Sequence, residues 1–150
     1  MSDDGIGPKV IERLREVGVP DGVELLDAHT SALDVVPYID GKRFAVFIDA
    51  VSAGGEPGSV YRMTLDDLSM RSRPILSLHS FCLEDAARLW RILVREMPRV
   101  VIFGVEPKVV EPGLELSAEV AQAVPKVCDL VVRELENARV EPGAGADEQD

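Results

Sequence analysis

Strands alternating with helices predict an α/β fold: a three-layer α/β/α arrangement around a twisted, mainly parallel sheet. Three observations carry that expectation. Phe44-Ala45-Val46-Phe47-Ile48 and Val100-Val101-Ile102-Phe103 are continuous apolar runs, as strands covered on both faces should be. Stripes of apolar residues at helical spacing stand between and beside them. A chain of 150 residues, 46% of them hydrophobic, without an internal repeat, fits one compact core.

The first element is a helix. Asp3-Asp4-Gly5-Ile6-Gly7-Pro8 leads into Lys9-Val10-Ile11-Glu12-Arg13-Leu14-Arg15-Glu16-Val17, where Ile6, Val10, Leu14 and Val17 form one stripe that ends near Gly18 and Pro20. A loop-to-helix junction of this kind normally follows a buried strand. Little chain stands ahead of it here, so the sheet is expected to lack its first strand. Val23-Glu24-Leu25-Leu26 is a short strand candidate, and Ser31 can cap a helix that runs to about Ile39 and turns at Pro37. The apolar strand from Phe44 stops abruptly at Asp49. Ser52-Ala53-Gly54-Gly55-Glu56-Pro57-Gly58 reads as loop, and Ser59-Val60-Tyr61-Arg62-Met63-Thr64 alternates like an edge strand.

Leu83, Ala86, Ala87, Trp90, Val94 and Met97 then mark a helix from about Cys82 to Glu96. A second buried strand runs from Val100 to Val105. After a loop with Glu106-Pro107 and Glu111-Pro112-Gly113, Ser117 can cap a last helix striped by Val120, Val124, Val127, Val131 and Leu135, with a kink expected at Pro125. Residues 1–140 thus read as one domain, and 141–150, rich in glycine, alanine and acids, as a disordered acidic tail.

Composition excludes several classes. Net charge is −11, from 27 acidic against 16 basic residues, without a basic patch, which argues against a nucleic-acid partner. No apolar run approaches the ~20 residues of a membrane helix. The N-terminus lacks the layout of a signal peptide, and Cys82 and Cys128 form no paired framework, so free thiols and a cytoplasmic location are expected.

In open α/β sheets the chemistry collects at the carboxyl ends of the strands. Asp49 stands there; taken alone it is a helix cap, a satisfied loop residue or a ligand. Of the two histidines, His79 lies in Leu76-Ser77-Leu78-His79-Ser80-Phe81 and His29 in Asp27-Ala28-His29-Thr30. A lone loop histidine is more commonly a surface or capping residue than a ligand. Asp4, Asp49 and His79 each mark a loop–element junction on what should be one rim. Two carboxylates and an imidazole suit a borderline cation such as nickel or zinc.

Other candidates favour simpler readings. Cys82, three residues past His79, is more commonly a small buried residue than a chelator, and Ser77 and Ser80 lack a base–orienter pair. Asp66-Asp67 suit the first turn of a short helix. Gly54-Gly55 and Gly58 do not match a phosphate-binding loop. Glu106-Pro107 and Glu111-Pro112, as exposed loops, can line a substrate groove.

The motifs at Asp3-Asp4-Gly5-Ile6-Gly7-Pro8, Asp27-Ala28-His29-Thr30, Val46-Phe47-Ile48-Asp49-Ala50, Leu78-His79-Ser80-Phe81 and Phe103-Gly104-Val105-Glu106-Pro107, with Leu116-Ser117, resemble those of the hydrogenase maturation endopeptidases. They run in the family's order from about residue 3 to 135. The resemblance implies removal of the C-terminal extension of a nickel-loaded hydrogenase large-subunit precursor. It implies Asp4, Asp49 and His79 as the catalytic, metal-contacting set, of unassigned mechanism. Nickel would be recognised in the substrate, and zinc or cadmium can occupy the same site. Family members also carry a strand and a Gly-x-Gly-Asn turn before the acid motif. His29 stands where glycine is usual and is a fourth ligand, a substrate contact or an exposed loop residue.

Two alternatives remain open. One is an inactive or truncated paralogue that binds a metal-loaded precursor, or another protein, without cleaving it. The other is a nucleotide-binding α/β module, disfavoured by the absent glycine-rich turn. A monomer is expected, with association through the unpaired sheet as the alternative.

Overall fold

The computed structural model describes residues 5–27, 32–69, 76–77, 83–108 and 115–140. Helix α1, Ile6–Val17, buries Ile6, Val10 and Leu14 of the stripe that the spacing selects, while Val17, the stripe's fourth member at the end of the helix, is exposed. It ends at Gly18, whose φ of 89° suits glycine and whose N–H donates to the Leu14 carbonyl at 2.9 Å. A 3-10 turn, Ala32–Val35, runs into the short helix α2, Val36–Ile39. Pro37 sits in its first turn, where the missing N–H has no helical partner to lose.

Strand β1 is Phe44–Ser52, β2 is Val60–Thr64 and helix α3 is Leu65–Ser69. Thr64 and Asp67 cap α3 reciprocally. The Thr64 N–H donates to Asp67 Oδ2 at 2.9 Å, and the Asp67 N–H donates to Thr64 Oγ1 at 3.2 Å. Strand β3 is Leu76–Ser77, helix α4 Leu83–Leu93 and strand β4 Arg99–Val105. Helix α4 closes before Glu96, whose N–H donates to Asp40 Oδ1 at 2.8 Å instead of continuing the helix. Helix α5, Ala118–Val140, is capped by Ser117, whose hydroxyl accepts the Val120 N–H at 3.4 Å, and it runs on through Pro125.

The sheet order is β2-β4-β1-β3. Its longest ladder is parallel, from Phe44 opposite Arg99 to Ala50 opposite Val105. β2 pairs antiparallel with the far side of β4, at the sheet edge its alternating pattern suggests, and β3 pairs antiparallel with Val51 and Ser52 among the described residues. Side chains alternate across this sheet with period two. Val46, Ile48 and Ala50 of β1 and Val101, Phe103 and Val105 of β4 pack with α1 and α5. Ala45, Phe47 and Val51, with Val100 and Ile102, face the opposite layer of α2, α3 and α4. There Phe47 stacks on buried Trp90, with ring centroids 4.8 Å apart. Three layers result, with apolar cores on both sheet faces.

The segment 23–26 is not a strand. Val23 and Leu25 are half-buried while Glu24 and Leu26 are exposed, so the alternation is present without a ladder. A strand needs a neighbouring backbone about 4.8 Å away. Here a groove of about 700 Å³ lies against that segment and β1, lined by Ile11, Leu25, Phe44, Val46, Ile48 and Leu135 among others. Along 44–50, the edge of β1 opposite β4 has no partner strand among the described residues.

Cys128 is a free, buried thiol directed at the Val10 carbonyl, 3.8 Å away, and burial pushes its pKa up. Cys82 and the expected tail at 141–150 lie outside the described residues. Among the described residues no helix is long and apolar enough to cross a membrane.

Candidate functional site

Because β1 and β4 are parallel, their carboxyl ends share one rim, and each brings an acid to it. Asp49 lies opposite Gly104 in the ladder and, by the alternation, on the α4 side of the sheet. It is half-buried, and its Oδ1 accepts the Ala50 N–H at 2.8 Å, which orients the carboxylate across the strand end. Gly104 is required at the facing position. A Cβ there would come within 2.8 Å of Val51 Cγ2, so any side chain would displace the residue that packs two positions beyond Asp49.

Two other elements meet β1 around Asp49. Gly7 in the first turn of α1 approaches so closely that a Cβ would lie 3.0 Å from the Ile48 carbonyl oxygen. Ser77 of β3 pairs with Val51. Asp49 is therefore bracketed by the residues that follow the Asp3-Asp4 motif and by those that precede His79. Asp4, His79 and His29 themselves lie outside the described residues. Among the described residues no cluster of three His, Cys, Asp or Glu side chains is arranged to hold a metal ion.

Glu106, expected in an exposed loop, is 5% exposed. It follows β4 on the same sheet face as Asp49 and turns its carboxylate inward. Its Oε1 accepts from the Ala53 N–H at 2.9 Å, the Gly55 N–H at 3.0 Å and the Tyr61 hydroxyl at 2.7 Å. Burial, followed by this carboxylate, raises the Tyr61 pKa above its ordinary value. The donors lie 53, 51 and 45 positions away, so no local pattern announces the burial. The one available signal is the position, an acid directly after a buried strand.

A family model described as hydrogenase maturation protease matches residues 8–134. The chain belongs to the hydrogenase maturation protease family. Its members are endopeptidases, and the chain is an enzyme of that family. Among curated relatives, a hydrogenase expression/formation protein, HupD of Rhodobacter capsulatus, is 28% identical over 97% of this chain and 70% of its own length. Among solved structures, the hydrogenase maturation protease HybD of Thermococcus kodakarensis is 26% identical, with a TM-score of 0.72 over 90% of this chain and 91% of that one. The hydrogenase maturating endopeptidase HybD of Escherichia coli superposes with a TM-score of 0.73 at 23% identity, covering 92% of this chain and 86% of that one. These likenesses agree with the α/β reading of the sequence. They also separate this hydrogenase maturation protease fold from a nucleotide-binding module.

Proposed function

We propose that this chain cuts the C-terminal extension from a nickel-loaded hydrogenase large-subunit precursor, with Asp49, Asp4 and His79 around the metal. The observation that carries the reading is the double approach to β1 at Asp49. Gly7 meets Ile48 and Ser77 pairs with Val51, while Asp4 lies three residues before Gly7 and His79 two residues after Ser77. Nickel is then part of the substrate. Its recognition by two carboxylates and an imidazole restricts cleavage to precursor that already carries metal. Zinc or cadmium, which accept the same donor types, would compete for the site.

In this reading Asp49 acts from a rigid support. Its strand is fixed by seven register pairs to β4, and its carboxylate is oriented by the Ala50 N–H. Such preorganisation holds a ligand in place without reorganisation when substrate arrives. The partner is the precursor; no nucleic acid or membrane enters the reaction, which takes place in the cytoplasm.

The test is cleavage of a nickel-loaded precursor by the wild-type chain and by His79→Ala and Asp49→Ala variants of unchanged fold. Both variants are expected to lose processing. Normal cleavage by either removes that residue from the site. Nickel titration followed by calorimetry reports the same assignment without the chemical step.

A further inference from the structure

We propose that Glu106 is a positioning residue for substrate, holding residues 53–59 as one wall of the passage to Asp49; the inference rests on the proposed precursor-cleaving activity. The loop is tied to this single residue at both ends. Besides the three donors on Oε1, the Gly58 N–H donates to the Glu106 carbonyl at 2.9 Å, and the Glu106 N–H donates to the Ser59 carbonyl at 2.9 Å. A carboxylate that accepts from backbone N–H groups out of water makes stronger bonds than a neutral acceptor would.

The glycines show how closely the loop is fitted. Gly54 and Gly58 each have a φ of 85°, a region that favours glycine. A Cβ at Gly58 would lie 2.6 Å from the Glu119 carbonyl oxygen, so the loop is pressed against the first turn of α5. A Cβ at Gly55 would lie 2.1 Å from the Tyr61 hydroxyl and would displace it from Glu106. The far surface is different: residues 54–57 are exposed, and 54 and 55 have no side chain to hold a peptide away from the backbone.

Position turns this brace into a substrate device. The loop leaves β1 directly after Ser52, on the rim that carries Asp49. Extending the parallel register by one pair beyond Ala50 and Val105 sets Glu106 beside Val51, two residues past Asp49 and on its face. In this proposal an extended chain reaches Asp49 across the rim beside this loop and not through the groove along 44–49, which no residue of 53–59 lines. A loop free to move would have to be ordered on each encounter.

The experiment compares wild type with Glu106→Ala, Glu106→Gln and Tyr61→Phe. The probe is a nickel-loaded large-subunit precursor, and amide hydrogen exchange of residues 53–59 is read alongside. Glu106→Ala is expected to speed that exchange and to raise KM about ten-fold while kcat stays within about three-fold. Glu106→Gln keeps an acceptor in place and is expected to restore KM to within about three-fold of wild type. Tyr61→Phe removes one donor and should raise KM by roughly two-fold to three-fold. Faster loop exchange with unchanged KM overturns the proposal, as does a Gln variant as impaired as the Ala variant. If Glu106→Ala does not fold, Gly55→Ala takes its place and is expected to act in the same direction. If wild type does not cut the precursor, the proposed activity fails separately. Precursor affinity then decides the loop's role, and equal affinity in wild type and Glu106→Ala overturns it.

Discussion

Strands β1 and β4 are neighbours in one parallel ladder, with nearly the same apolar composition and an acid at the carboxyl end of each. Their surroundings differ. From Val100 to Val105 every residue of β4 is buried, and Phe103 is 1% exposed; from Phe44 to Asp49 every residue of β1 is only half-buried. β4 has β2 on one side and β1 on the other, whereas 44–50 of β1 faces the groove on its second edge. The acids divide in the same way. Glu106 is enclosed and takes three donors, while Asp49 remains accessible at the rim. An apolar run followed by an acid states what a strand can bury and what it can present. Its neighbours decide which of the two happens.

The largest effect that sharpens this comparison is catalytic. Asp49→Ala should lower precursor cleavage by roughly 10²-fold or more, the scale on which loss of a reacting group is felt. Its melting temperature should stay near that of wild type, because the side chain contributes little packing. Cleavage assays beside thermal melts read both, and a variant that unfolds instead would make Asp49 an acid that holds the fold.

Packing comes next. Phe103→Ala should cost about 3–5 kcal/mol, the range for an enclosed aromatic. Phe47→Ala should cost roughly half of that, since one side of β1 already opens on the groove even though Phe47 stacks on Trp90. Urea denaturation measures the two. Equal losses would mean that the β1 edge is covered in solution.

Backbone protection gives a smaller and more local reading. Amides of 44–48 that point away from β4 should exchange at least ~10-fold faster than those of 100–105, because no strand among the described residues pairs with that edge. Uniform protection across both strands would break the comparison outright.

The smallest effect concerns pH. Tyr61 has a folded pKa above its ordinary value of 10.0, so near and above that value the folded chain holds a proton that the unfolded chain releases. With more protons bound in the folded state, stability falls as pH rises. Tyr61→Phe should remove this contribution, seen as a shallower loss of stability above about pH 10 in chemical denaturation.

Much of the fold was legible in the chain. The uninterrupted runs at Phe44 and Val100 became the central parallel pair, the alternating segment ahead of Thr64 became an edge strand, and Ser117 caps the helix it was expected to cap. Two features were not. The segment at Val23 alternates like a strand, but hydrogen-bonded pairing depends on a backbone partner that its own side chains do not specify. Glu106 looked like an exposed loop acid, because acids rarely enter a core and its three donors come from distant positions. For the site, Asp49 could be singled out by its place after five apolar residues.

What the sequence determined by itself was periodicity and punctuation. Apolar spacing selects the faces of α1 and α5, glycine at 18 ends a helix, and an acid closes the β1 run, all through interactions within a few residues. What only the tertiary structure decided was which acid is enclosed and which is left accessible. The parallel register carries Glu106 past the end of β4 into donors from the 53–59 loop and β2, and leaves Asp49 at the meeting point of α1, β1 and β3. Those outcomes depend on distances between segments remote in the chain, which local patterning does not encode.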